Sequence, residues 1–93
     1  MRKKINVTAR RIDIGVRKSC DHCPVALAIR AHLKTKALLT ISYDHAIVTI
    51  SKNMVYLYFP WEIRALVSAF DNGTPVKPFS FSLDIPDKYL RRR

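Results

Sequence analysis

Glycine is nearly absent from this chain of 93 residues: Gly15 and Gly73 are the only two, so no glycine-rich loop can cradle a nucleotide phosphate. Acidic side chains are also few, seven in all, and no spacing among them or the three histidines forms a carboxylate pair or a Ser-His-Asp set, which leaves catalysis without support and the chain without a small-molecule substrate. Two cysteines, three positions apart, would close almost no loop if oxidised and cannot staple a secreted mini-protein. No apolar run approaches the roughly 18 residues of a membrane span, and Met1-Arg2-Lys3-Lys4 leads into polar alternation in place of a signal-peptide core. The expectation is a protein that stays in the cytoplasm and away from membranes. Repeats, linkers and low-complexity segments are likewise absent, so residues 1–93 read as one domain with mobile basic termini.

What the chain has in abundance is positive charge. Seventeen Lys and Arg give a net +10, and residues 1–36 hold ten basic against two acidic side chains, a net +8. Such a field attracts phosphate backbones or acidic proteins. With 48% hydrophobic residues the chain still has the means to build a core, a modest one at this length.

The apolar periodicity changes along the chain. Ile5 and Val7 alternate as a short strand, and Thr8 can cap a helix beginning near Ala9 with Ala9, Ile12 and Val16 on one face. On that helix Arg10 and Arg17 would share a second face and Arg11 and Lys18 a third. Pro24 suits the first turn of a second helix running to about Lys34, with Val25, Ala28, Ile29 and His32 inward and Arg30 and Lys34 paired toward solvent. From Ala37 the period becomes two, giving strands ending at Tyr43, at 46–51 and at 54–59. In the last of these Val55, Leu57 and Phe59 share one face and Met54, Tyr56 and Tyr58 the other. Pro60 opens a third helix with the stripe Ile63, Leu66, Val67 and Phe70, stopped at Asn72-Gly73, and Phe79, Phe81, Leu83 and Ile85 alternate in a final strand. Tyr89 and Leu90 could dock the tail, which ends in Arg91-Arg92-Arg93. The fold class is therefore α+β, a small antiparallel sheet of meander plus C-terminal strand covered by about three helices.

Cys20-Asp21-His22-Cys23-Pro24 is the one segment with chemical potential. Thiols at a helix N-terminus favour the thiolate, but a thioredoxin-type motif follows a strand, whereas this one joins two helices. A zinc site needs about four ligands and one Cys-x-x-Cys supplies two, with only His45 free to approach through folding. The expectation is reduced, metal-free structural cysteines at Cys20 and Cys23, no cofactor, and Asp21 or Ser19 as the helix cap.

The segments Ile12-x-x-Gly15-Val16-Arg17, Ser19-Cys20-x-x-Cys23-Pro24-Val25-Ala26-x-Ala28-Ile29 and Pro78-Phe79-Ser80-Phe81-x-Leu83 resemble those of small uncharacterised bacteriophage and prophage proteins. The resemblance implies a phage-type accessory protein acting inside a bacterial cell, more often by binding than by catalysis. Arg10, Arg11, Arg17, Lys18, Arg30 and Lys34, joined by the Arg2-Lys3-Lys4 arm and the Arg91-Arg92-Arg93 tail, form the expected nucleic-acid-binding surface, for DNA or RNA, with Tyr56 and Tyr58 available to stack on unpaired bases if no helix covers them. The rival reading is a module that binds or inhibits an acidic host protein through Trp61, the tyrosines and the arginines.

Overall fold

The two ends of the chain meet in one ribbon. In the computed structural model, which describes residues 1–91, β1 (Arg2–Val7) pairs antiparallel with β5 (Phe79–Asp84), in a register that sets Ile5 opposite Phe81 and Val7 opposite Phe79. Alternation puts Ile5, Val7, Phe81 and Leu83 inward, and Ile85 completes the same apolar seam. The Met1 ammonium donates to the Ile85 carbonyl at 2.9 Å and the Ile85 N–H donates back to the Met1 carbonyl at 2.9 Å. The expectation of a mobile N-terminus is thereby corrected: the basic arm is a paired strand. At the other end Tyr89 and Leu90 are buried, Leu33 bridges Leu90, and Arg92 and Arg93 lie outside the described residues.

The meander is a second sheet, β2 (Leu38–Ile41), β3 (His45–Ile50) and β4 (Asn53–Tyr58), all antiparallel. The expected α+β architecture holds, with the strands divided between two sheets because β5 takes β1 as its hydrogen-bonding partner instead of joining the meander. Leu39, Ile41, Ala46, Val48 and Leu57 form the buried face. Tyr43 falls beyond β2 and is exposed, whereas the sequence pattern places it with Leu39 and Ile41. Ser51, at φ 55°, makes the tight turn into β4.

Thr8 caps α1 (Ala9–Ile14) as expected, its Oγ1 accepting from the Arg11 N–H at 3.2 Å. With six residues the helix spans less than two turns, so Val16 lies past its end, and both Ala9 and Val16 are exposed. Only Ile12 of the expected apolar face packs against the core. α2 (Pro24–Arg30) buries Val25, Ala26, Ala28 and Ile29 against β1, β2 and α1. It stops at Arg30, short of the expected Lys34, and leaves Leu33 free to pair with the C-terminal segment. α3 (Trp61–Asp71) buries Ile63 and Val67, half-buries Leu66 and Phe70, and ends in Gly73 at φ 81°.

Gly15 is required for space, not for its backbone angles. A Cβ there would sit 2.6 Å from Pro24 Cδ and 2.8 Å from the Arg11 carbonyl oxygen. Gly15→Ala must therefore push α1 away from α2, and we expect a loss of about 1–3 kcal/mol in chemical denaturation.

Candidate nucleic-acid interface

The positive charge is almost wholly uncompensated. Among the described residues Arg2 is the only Lys or Arg side chain within ion-pairing distance of a carboxylate, Asp84 at 3.5 Å, while the chain's amino terminus pairs with Asp87 at 3.8 Å. The remaining salt bridges are local His-Asp contacts, His22–Asp21 and His45–Asp44.

The six residues marked by the sequence do not form one surface. Arg10 and Arg11 lie on α1, where Arg10 is exposed and the Arg11 guanidinium donates to the Asn6 carbonyl at 2.7 Å. Arg17 and Lys18 follow the helix instead of continuing its faces, because α1 has already ended at Gly15. The Arg17 guanidinium lies by Gly73, and the Lys18 N–H, at φ 57°, donates to Asp71 Oδ1 at 2.9 Å. Both residues therefore sit beside the C-terminal end of α3. Lys34 is half-buried, its N–H donating to the Tyr89 carbonyl.

Arg30 has turned inward, which corrects its expected pairing with Lys34 toward solvent. Its guanidinium donates to the carbonyls of Ala37, Thr35 and Lys34, closing the loop that carries the chain from α2 to β2. A guanidinium holding three carbonyls is committed to structure. Arg30→Gln should cost about 1.5–3 kcal/mol of stability, read from urea unfolding, while leaving the salt dependence of any nucleic-acid binding unchanged.

A different group of cations comes together where β1, α1, the end of α2 and the C-terminal segment meet. His32 is half-buried there, and its imidazole is held below its ordinary pKa by burial first and then by the charge of Lys3, with Arg11 adding to the effect and the Lys4 backbone opposing it. Arg91 joins the group, its N–H donating to the His32 carbonyl and its guanidinium to the Ala31 carbonyl at 3.2 Å. Lys3, Arg11 and Arg91 thus flank one histidine. The sequence joins Lys3 and Arg91 to the basic surface as parts of the two terminal arms; their meeting at His32 is what it does not show, because pairing between chain ends leaves no local pattern.

The cysteine segment supplies the cap of α2. Cys23 Sγ itself accepts from the Ala26 N–H at 3.4 Å and caps α2, displacing the expected Ser19 or Asp21 from that role. Those two make a turn of their own: Ser19 donates to Asp21 Oδ1 at 2.9 Å and accepts from the His22 N–H, and His22 Nδ1 meets the same carboxylate at 2.8 Å. The His22 contact, then the Ser19 hydroxyl, lower the pKa of Asp21. Burial pushes the Cys23 thiol up, opposite to what a nucleophile needs. Cys20 is exposed, and among the described residues no three of His, Cys, Asp or Glu gather as a metal cluster.

The outer face of the meander is open. Tyr56 and Tyr58 are 49% and 63% exposed, so no helix covers the face that the sequence leaves undecided. The His45 ring lies 5.4 Å from Tyr56 and 5.7 Å from Tyr58, centroid to centroid, and the two tyrosines are 6.5 Å apart. His45 Nδ1 contacts Asp44 Oδ1 at 2.6 Å, which fixes its ring between the strands. Leu38, Thr40, Ile47 and Met54 extend the same uncharged face, and Trp61 lies just beyond β4 with the Arg64 guanidinium 5.8 Å from its ring centroid. No described helix is long and apolar enough to cross a membrane. No family model, curated protein or solved structure matches this chain, so its function has to be read from the cationic seam and the open face themselves.

Proposed function

We propose that this protein is a non-enzymatic, phage-type accessory protein of the bacterial cytoplasm that binds nucleic acid by its phosphates. The observation that carries the reading is the uncompensated charge: ten cationic side chains lie within residues 1–36, and of these Arg2 alone has a carboxylate partner among the described residues. A phosphate backbone supplies the missing counter-charge and releases condensed ions on binding. Lys3, Arg11 and Arg91, with the exposed Arg10 of α1, are the residues assigned to that contact, while Arg17 and Lys18, beside the end of α3, stand apart from it. Cys23 serves as the cap of α2 and a core residue, and Cys20 takes no part in the contact.

Affinity for a DNA duplex, titrated by fluorescence anisotropy from 50 to 200 mM salt, tests the reading. Four to six phosphate contacts give a log-log slope of roughly −3.6 to −5.4, which weakens binding by about two to three orders of magnitude over that range. Absence of binding to duplex and single strand alike at about 50 mM salt, where electrostatic affinity is strong, would rule the reading out.

One observation favours a second reading. Trp61 is 77% exposed under the Arg64 guanidinium, an aromatic-arginine pair of the kind that anchors protein interfaces, and an acidic host protein would satisfy the same cations. Affinity capture from host lysate separates the two, since a partner retained after nuclease treatment is bound as protein.

A further inference from the structure

We propose that the open face of the meander is a platform for unpaired bases, which makes single-stranded nucleic acid the preferred ligand of this protein; the inference rests on the phosphate-binding reading above. Tyr56, Tyr58 and His45 present three neighbouring rings on adjacent strands, their centroids 5.4–6.5 Å apart. Every base has a π-face, so such a row accepts bases without regard to sequence, and a duplex, whose faces are already stacked, cannot use it. The charge distribution fits the same ligand. The Asp44 carboxylate beside the rings is tied to His45 Nδ1 at 2.6 Å, whereas Lys52 occupies the turn between β3 and β4 at one end and Arg64, whose guanidinium donates to the Phe59 carbonyl at 3.3 Å, follows β4 at the other. A strand laid along β4 would place its bases over the rings and find cations at both ends. Exposure of aromatic side chains at this density on an uncharged face is otherwise unfavourable, since water gains nothing from the rings.

The test compares two ligands of one length, a fluorescently labelled 12-base oligothymidylate and a 12-base-pair duplex, on wild-type protein and on the double variant Tyr56→Thr/Tyr58→Thr. Threonine keeps the β propensity of the exposed strand positions, and a thermal melt checks that the fold survives. Wild-type protein should bind the single strand at least ten-fold more tightly than the duplex at equal salt. The double variant should lose about ten-fold or more on the single strand and keep its duplex affinity, stacking being worth that much per base. Equal affinity for the two ligands, or a double variant that binds the single strand as the wild type does, overturns the platform and leaves phosphate binding standing. Failure of both ligands to bind overturns phosphate binding itself. Concentration-dependent dimers that the double variant abolishes, with single-strand affinity unchanged, would assign the face to a second copy of the chain and overturn the platform as well.

Discussion

Phe81→Ala is expected to destabilise the protein by about 3–5 kcal/mol, more than Gly15→Ala or Arg30→Gln. Phe81 is 8% exposed on β5 and joins the two sheets: its ring packs edge-on against Phe59, at the end of the meander, with centroids 5.8 Å apart, and stacks on Phe79 at 6.2 Å. Ile5 lies directly across the ribbon. These neighbours sit on or directly beside paired strands, so they cannot collapse into the space that the ring leaves, and the cavity adds to the lost transfer energy. A chain of this length has roughly 5–14 kcal/mol in total, so Phe81→Ala removes a large share of its stability. Urea unfolding should report it as a lower midpoint with unchanged slope. A loss below about 1 kcal/mol would place Phe81 outside the core and break the link between the sheets.

That Phe81 belongs to the core is readable from alternation alone, since Phe79, Phe81 and Leu83 recur at period two between serines. The stripe of α3 is equally legible. The partner of β5 is not, because the pairing of Arg2 with Asp84 is a contact of chain ends and leaves no mark on either neighbourhood. Helix lengths escape the apolar period for local reasons. Gly15 already leaves the end of the first helix open in the sequence, and its steric contact with Pro24 is what makes it decisive. The period that carries α2 to Lys34 takes no account of Arg30, whose guanidinium gathers the following carbonyls and turns the chain.

The candidate site divides in the same way. Parity along β4 sorts Tyr56 and Tyr58 from Leu57 and Phe59 without any structure. Which side is covered lies beyond the sequence, as both faces of that strand are largely apolar and the choice depends on where the rest of the chain docks. Helical phase selects the cations, and phase has no meaning once α1 ends at Ile14. Arg30 leaves the set by satisfying carbonyls. Lys3 and Arg91 meet at His32 through strand register and the Leu33–Leu90 bridge.

Neutralising the seam should have the largest effect on binding. The quadruple variant Lys3→Gln/Arg10→Gln/Arg11→Gln/Arg91→Gln removes four charges that have no carboxylate partner among the described residues, and none of the four side chains is fully buried, so the fold should persist. The hydrogen bonds from Arg11 to Asn6 and from Arg91 to Ala31 are exposed, and breaking them costs about 1 kcal/mol each at most. Every phosphate that is no longer neutralised takes about 0.9 from the duplex salt slope, so the slope should flatten by up to about 3.6 and affinity at low salt should fall a hundred-fold or more. A second variant outside the seam separates a site from a general field. Arg17→Gln/Lys18→Gln/Lys77→Gln removes three other charges, Arg17 and Lys18 beside the end of α3 and Lys77 in the loop that follows it. If the seam is the contact, this triple variant keeps most of the slope, because released counterions are counted only where phosphates are neutralised. If instead both variants flatten the slope in proportion to the charge removed, the protein binds through its net charge alone and Lys3, Arg10, Arg11 and Arg91 have no privileged role.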